Sequence, residues 1–165
     1  MPTMIKIATI TVGAGGAASI DFTSIPATYT DLVLVCSLRT SGTSADSMLK
    51  FNGLGTNQTQ RTLRGLGTGQ DSITSTEFPG LANEGTTSTA SVFSSGNYYI
   101  PNYLSANFKS FGYDGATENN ASAAYLFLAA GLWSAVAAIN QITLTPGAGT
   151  FVQYSSATLF GIKSS

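Results

Sequence analysis

A buried strand is indicated by residues 31–39, which read DLVLVCSLR. Apolar residues occupy both alternating sets of positions at the start of this run, so both faces of the strand would be apolar. A strand of that kind belongs in the middle of a sheet, where its faces are covered. We therefore expect residues 31–39 to form a central strand, with neighbours among the runs of period two that precede and follow it.

Two more strands are expected before this run. Residues 6–12 alternate between two faces, and the glycine-rich turn at residues 13–16 leads into a short strand at residues 19–22. The two strands would pair as a hairpin across that turn. Residues 25–30 are expected to form a loop, because Pro26 lacks the backbone N–H that a sheet ladder requires.

The rest of the chain predicts further strands separated by turn residues. They are expected at residues 48–51, 60–66, 91–100, 107–113, 123–133, 138–145 and 151–162. Asn52-Gly53 and Asp114-Gly115 are turn sequences that would end two of them. Residues 53–91 are rich in Gly, Ser and Thr, so we expect one strand there and then long surface loops that contact a partner. Residues 135–139 would allow a single helical turn.

Nine or ten short strands with regularly spaced turns are typical of an antiparallel sandwich or barrel. The length of 165 residues suits one domain spanning residues 1–165. The sequence therefore predicts an all-β, single-domain protein with long surface loops within residues 53–91.

The composition is poor in ionisable groups. The chain has seven Lys and Arg, eight Asp and Glu and no His, while 43% of its residues are hydrophobic. It lacks the clustered positive charge that neutralises nucleic-acid phosphates or acidic membranes. Residues 121–139 also fall short of the about 20 apolar residues of a membrane span. Because a net charge of −1 hardly opposes association between copies, we expect a homo-oligomer with no nucleic-acid or membrane partner.

Few residues are candidates for catalysis or metal binding. Cys36 is the only cysteine, and with no histidine to activate it we expect a buried structural thiol. A glycosidase would need two carboxylates, for which Glu77 with Glu84 or Asp71 are the candidates, but they lie in a loop that holds geometry poorly. The oxygen ligands at residues 114–120 do not have EF-hand spacing. We expect no enzymatic activity, no cofactor and no metal.

Several motifs resemble those of small virion proteins of tailed phages, especially phages of cyanobacteria and marine bacteria. The motifs are SIPATYTDL at residues 24–32, FNG at 51–53, GLW at 131–133, INQITL at 139–144 and YSSATLFGI at 154–162. They cover nearly the whole chain in order. The resemblance implies a jelly-roll-like β-sandwich and a structural place in the virion, in capsid decoration or in fibres, and it brings no catalytic residues.

The predicted function is thus that of a non-enzymatic capsid decoration or cement protein. It would be made in the bacterial cytoplasm and stabilise the phage head as a trimer bound to the major capsid protein or to neighbouring virion proteins. The alternative is a receptor- or carbohydrate-binding domain of a tail fibre or collar appendage, which would bind a host surface glycan.

The contact surface is expected on an aromatic sheet face, because aromatic residues are enriched at the centres of interfaces. The candidates are Tyr98, Tyr99, Tyr103, Phe108 and Phe111. The tyrosines among them would equally offer a stacking platform to sugar rings. Trp133 lies in an apolar run, so we expect it in the core rather than at a ligand.

Overall fold

The computed structural model describes residues 2–43, 46–76, 80–119 and 124–163, and this part of the chain forms two antiparallel β-sheets with no helix. The strands are β1 (Thr3–Thr11), β2 (Ile20–Phe22), β3 (Asp31–Leu38), β4 (Asp46–Phe51), β5 (Gln58–Gly65), β6 (Gln70–Ser75), β7 (Gly80–Ala82), β8 (Ser94–Ile100), β9 (Lys109–Thr117), β10 (Tyr125–Trp133), β11 (Ile142–Thr145) and β12 (Ser156–Lys163). The helical turn expected at residues 135–139 is wrong, because this segment is an irregular loop. Among the residues described, no helix is long and apolar enough to cross a membrane.

The two sheets differ in size. The large sheet has the order β1-β12-β3-β8-β9-β10-β5-β6, and the small sheet has the order β2-β11-β4-β7. Strand β3 lies between β12 and β8 in the large sheet, which confirms the central position expected for residues 31–39. The all-β class and the antiparallel sandwich of two sheets are confirmed.

Eight of the strands pair in a nested series. Strand β1 pairs with β12, β2 with β11, β3 with β8 and β4 with β7, each time antiparallel. The hairpin β5–β6 is inserted between β4 and β7, and the hairpin β9–β10 between β8 and β11. Both inserted hairpins join the large sheet beyond β8, where β9 pairs with β8 and β5 pairs with β10.

The expected hairpin between the first two strands is wrong. Strand β1 pairs with β12 in the large sheet, whereas β2 pairs with β11 in the small sheet. The glycine-rich segment after β1 therefore carries the chain from one layer to the other. In its place, Val12 exchanges backbone hydrogen bonds with the residues just before β12, its N–H donating to the Ser155 carbonyl at 2.8 Å.

The expectation of one strand within residues 53–91 is also wrong, because β6 and β7 follow β5 there. Strand β6 is the outermost strand of the large sheet and alternates between exposed and half-buried side chains. An edge strand of this kind gains its order from the ladder with β5 and needs little apolar area. Its polar sequence therefore resembles that of a loop.

The turn expected at Asp114-Gly115 is wrong as well, since both residues lie inside β9. A Cβ at Gly115 would lie 2.7 Å from the Phe127 ring and 2.9 Å from Leu81 Cδ2. The glycine is thus explained by the close approach of β10 and β7, not by turn geometry.

The core lies between the two sheets. Phe51 of the small sheet packs its ring 5.3 Å from that of Phe111 and 5.4 Å from that of Trp133, both in the large sheet. Trp133 is fully buried, which confirms its expected place in the core. Cys36 is also buried among apolar side chains, as expected, and burial raises the pKa of its thiol far above the ordinary value.

Candidate functional site

Three of the five aromatic residues predicted for the contact surface are buried, so that part of the prediction is wrong. Tyr98 points to the inner face of β8 and stacks on Tyr113 at 5.2 Å. Phe111 packs on Phe51 in the core, and the Tyr103 hydroxyl donates to the Pro26 carbonyl. These side chains are at most 2% exposed, because each occupies an inward position or closes the end of the core.

The other two candidates are exposed. Phe108 is 59% exposed in the loop before β9, and Tyr99 is 43% exposed on the outer face of β8. The Tyr99 hydroxyl donates to Asp31 Oδ2 at 3.0 Å, while Asp31 Oδ1 accepts the Asn102 N–H at 2.9 Å. Because its hydroxyl is engaged by Asp31, the exposed part of Tyr99 is its ring.

A larger apolar surface, which sequence reasoning missed, lies on the outer face of the large sheet. Every outward side chain of β10 is apolar and exposed, and the neighbouring Leu63 of β5 continues the surface. We call this surface the β10 face, and it consists of Leu63, Leu126, Leu128, Ala130 and Leu132. The exposed fractions of Leu126, Leu128 and Leu63 are 68%, 65% and 57%. Contiguous exposed apolar side chains of this kind mark interaction sites.

The two flanks of the β10 face carry opposite charges. On the β5 side, Arg61 stands opposite Ala130, and its side chain is exposed. On the β9 side, Asp114 stands opposite Leu128, and its carboxylate accepts two hydrogen bonds from the Asn97 amide, at 2.9 and 3.0 Å. Small residues complete the β9 side, so that nothing bulky shields the leucines there.

The sequence could not identify this face, because the two faces of β10 look alike. None of the side chains on either face is charged. The outward face has Leu126, Leu128 and Leu132, and the inward face has Phe127, Gly131 and Trp133. Only the position of the small sheet decides which set is covered. The one signal in the sequence was that both alternating sets of residues in this run are apolar, so a sheet covered on one side would leave one of them exposed.

A polar pocket of about 410 Å³ lies on the opposite, inner side of the same strands. The large sheet has eight strands and the small sheet four, so the inner faces of β5, β6, β9 and β10 extend past their cover. Strand β7 and the loop that follows it close this space only in part. The pocket lining is Asp46, Gln60, Thr62, Arg64, Ile73, Gly80, Ala82, Asn83, Glu84, Thr87, Ser88, Tyr113, Thr117, Asn119, Tyr125 and Phe127.

Hydrogen bonds fix the strand side of the pocket. The Tyr113 hydroxyl donates to Gln60 Oε1 and lies 3.3 Å from the Thr62 hydroxyl. Burial raises the pKa of Tyr113 to about 12, so this hydroxyl stays protonated at neutral pH. Arg64 forms two hydrogen bonds with the carboxylate of Asp71, at 2.9 and 2.7 Å, and this ion pair orients its guanidinium at the pocket wall.

The loop side of the pocket is held by Arg39. Its guanidinium donates to the carbonyls of Gly85 at 2.8 Å, Ser88 at 3.3 Å, Thr89 at 2.9 Å and Val92 at 2.7 Å. The Thr40 N–H donates to the Glu84 carbonyl at 2.8 Å, which ties the start of the loop to the end of β3. The loop that forms this wall is thus held in place by one side chain, which donates hydrogen bonds to four of its carbonyls.

Among the described residues, two buried side chains of the lining have polar atoms without a hydrogen-bond partner. Asn83 is 3% exposed, and in this part of the chain neither its Oδ1 nor its Nδ2 has a partner. Glu84 is 1% exposed; its Oε2 accepts the Asn119 amide at 3.0 Å, but its Oε1 has no partner. Burial raises the pKa of Asp46 in the same lining, and the charge of Arg64 partly opposes that shift.

Each carboxylate pair considered for glycoside hydrolysis includes Glu77, so the described residues do not contain either pair in full. Asp71 is held by Arg64, Glu84 is buried against Asn119, and Glu77 lies outside the described residues. The oxygen ligands at residues 114–120 are separated too, since Asp114 faces outward while Asn119 lines the pocket, and Asn120 lies outside the described residues. Within the described residues, no group of three or more His, Cys, Asp or Glu side chains is placed to hold a metal ion.

Comparison of the chain with family models, curated proteins and solved structures finds no match. Its function is therefore inferred from its own residues, above all from the β10 face and the polar pocket.

Proposed function

We propose that this chain is a non-enzymatic virion structural protein, a capsid decoration or cement protein that acts as a homotrimer. The observation that carries the proposal is the β10 face, whose leucines are up to 68% exposed on a chain with a net charge of −1. An isolated protomer would leave this apolar area in water, whereas association with further copies would remove it. The sequence motifs that resemble those of phage virion proteins supply the setting.

We further propose that the sandwich is a jelly roll with two inserted hairpins. The nested pairs β1·β12, β2·β11, β3·β8 and β4·β7 support this, because they place four strands in each of two sheets, as in an eight-stranded jelly roll. The inserted strands β5, β6, β9 and β10 widen one sheet. In this proposal the insertion creates the β10 face and is the part of the fold adapted to assembly.

The partner proposed for the β10 face is a second copy of the same chain. When copies are related by an axis parallel to β10, the Arg61 flank of each copy meets the Asp114 flank of its neighbour. Arg61 pairs with Ala130 and Asp114 pairs with Leu128, so the two charges are offset by two residues along β10. This offset is about 7 Å, a distance that an arginine side chain can reach. The leucines of the β10 face would then lie at the centre of the interface and the charged residues at its rim, which is the usual arrangement in protein interfaces.

Light scattering during size-exclusion chromatography tests the assembly. We expect a trimer for the natural chain and a monomer for Leu128→Asp, because the substitution would bury a carboxylate among leucines. The matched control is Val136→Asp, at a residue that is 60% exposed in a loop outside the β10 face, and it should remain trimeric. A natural chain that stays monomeric at micromolar concentration, or a Leu128→Asp variant that stays trimeric, would contradict the proposal.

Co-sedimentation with purified phage heads tests the cement function. The natural trimer should bind heads at saturable stoichiometry and raise the temperature at which they release DNA. Leu128→Asp should bind far more weakly, since a monomer loses the gain from several linked contacts. Binding of the trimer to tail fibres but not to heads would instead favour a place in the tail.

The tyrosine platform considered for sugar stacking is exposed only in part. Tyr98 and Tyr103 are fully buried, and of the three tyrosines at residues 98–103 Tyr99 presents its ring to solvent.

A further inference from the structure

We propose that the polar pocket between the inserted strands and the loop after β7 binds a neutral sugar, one pyranose ring at a time. The pocket lies on the inner side of the large sheet, whereas the β10 face lies on its outer side. This ligand site is therefore independent of trimer formation and goes beyond a purely structural role.

The size and walls of the pocket fit such a ligand. Its volume of about 410 Å³ falls within the range of roughly 300 to 1,000 Å³ that is common for small-molecule sites. Tyr125, Phe127 and Ile73 supply apolar surface for the C–H face of a sugar ring, and Tyr125 is half-buried, so part of its ring remains accessible. Polar side chains surround this apolar surface.

The unpartnered polar atoms in the lining are the strongest indication that the pocket is a binding site. Leaving a buried amide or carboxylate oxygen without a hydrogen bond costs about 1 to 3 kcal/mol. Asn83 carries two such atoms and Glu84 one, and the two residues are adjacent in the lining. Native structures seldom keep orphan groups of this kind without a functional reason. Sugar hydroxyls donate and accept at once, so a pyranose would supply partners for both the amide and the carboxylate.

The charges of the lining favour a neutral ligand over an ion. The Arg64 guanidinium is engaged by Asp71, so it offers an anion little unpaired charge. A cationic ligand would meet Asp46 and Glu84 but also Arg64, and it would leave the amide donors of the lining unused. Hydroxyl groups can use carboxylate, amide and guanidinium groups together.

Binding is tested by NMR titration of the full chain with the methyl glycosides of glucose, galactose, mannose, rhamnose and N-acetylglucosamine. We expect at least one of them to give saturable shifts at pocket residues. Asn83→Leu should weaken that binding at least tenfold and also raise the melting temperature, because it replaces an unsatisfied buried amide by an apolar side chain of similar size. Asp46→Asn keeps the size of this lining side chain and should weaken binding without unfolding the protein. The matched control Asn107→Leu, in the exposed loop before β9, should leave binding unchanged.

Several outcomes would overturn the inference. No saturable shift with any of the five glycosides would remove the sugar ligand, and shifts with arginine or choline alone would assign the pocket to a cation. A glycoside whose affinity is unchanged by Asn83→Leu and by Asp46→Asn binds outside the pocket. A lower melting temperature for Asn83→Leu would show that the amide is satisfied in the free protein. Light scattering of Asn83→Leu should still show a trimer, which separates this test from that of the β10 face.

Discussion

Lys109 places its ammonium group 5.3 Å from the centroid of the Trp133 ring, in the core at the end of the sandwich. The same Nζ donates to the carbonyls of Ser105 at 2.7 Å, Ala137 at 2.5 Å and Ala135 at 3.4 Å. Lys109 is 2% exposed, and burial lowers its pKa. One cation thus joins two loops that are distant in sequence and covers the tryptophan between them.

Replacing Lys109 by Met should lower the free energy of unfolding by about 2 to 3 kcal/mol. The methionine fills the space but leaves three carbonyls without their charged donor and removes the ammonium group beside the Trp133 ring. Chemical denaturation measures the loss, and Lys163→Met, at an exposed lysine in β12, is the matched control. Equal effects of the two substitutions would contradict the role given to the buried ammonium.

Stability should fall above pH 9 because of Cys36. Burial raises the pKa of its thiol above the ordinary 9.0, so above that pH only the unfolded chain releases the proton. The free energy of unfolding therefore changes little with this group below pH 9 and decreases by about 1.4 kcal/mol per pH unit above it. Lys109 acts in the opposite direction, since its lowered pKa makes stability rise with pH towards 10.5.

The comparison of the natural chain with Cys36→Ala isolates the thiol. The variant should be less stable at pH 7, because a small cavity is created, but it should lack the extra loss between pH 9 and pH 10. Above pH 10 both proteins should lose stability, since burial raises the pKa of Tyr113 from 10.0 to about 12. Parallel curves for the two proteins from pH 8 to pH 10 would refute this assignment.

Two neighbouring glycines should respond differently to alanine. A Cβ at Gly131 would lie 2.3 Å from Phe111 Cζ, so Gly131→Ala should cost about 1 to 3 kcal/mol by overpacking. At Gly112 the nearest atom is the Ala129 carbonyl oxygen at 4.0 Å, so Gly112→Ala should change stability by no more than about 0.5 kcal/mol. Thermal unfolding of both variants checks the difference, which would vanish if β10 were free to move away from Phe111.

A charge exchange should test the parallel arrangement around the β10 face. Arg61→Glu alone and Asp114→Lys alone should each weaken the trimer about tenfold, because each places like charges at the rim. The double variant should recover most of the affinity, and the differences should shrink at high salt. Sedimentation equilibrium measures the constants. Additive weakening in the double variant would mean that the two flanks do not meet.

Arg39→Lys should loosen the wall of the polar pocket while keeping the charge. A lysine ammonium lacks the planar arrangement of five N–H donors in a guanidinium. It cannot donate to all four carbonyls that Arg39 binds. Amide hydrogen exchange should become faster at Thr86 and Ser88, whose N–H groups donate to Gly42 and Gly85. Sugar binding should weaken in parallel. Unchanged exchange in this loop would show that other contacts hold it.

Several features of the fold could be predicted from the sequence. The period of two and the turn residues located most strands within a few positions, and the double-faced apolar run of β3 correctly predicted a central strand. Strand β6 could not be predicted, because a polar edge strand and a surface loop share the same residue types. Gly115 was expected in a turn because Asp-Gly is common in turns, whereas it lies inside β9 against Phe127. Their order comes from neighbours that are not visible in a local window.

The candidate sites were less predictable. Tyr98 and Tyr99 are adjacent in sequence, yet one is in the core and the other on the surface, because successive side chains of a strand point to opposite faces. The pocket joins Asp46 of β4, Glu84 of the loop after β7 and Tyr125 of β10, which no sequence spacing links. Nothing in the sequence around Arg39 indicated that its side chain would bind a loop about 50 residues further along the chain.

The amino-acid sequence by itself determined that the chain is built from short antiparallel strands, with few ionisable groups and a buried thiol, since these follow from local periodicity and composition. The tertiary structure alone decided that β2 leaves β1 for β11, and that the leucines of β10 face outward while Phe127 and Trp133 face inward. The physical reason is that local pattern fixes a strand, whereas the layer that covers one of its two apolar faces comes from residues far along the chain.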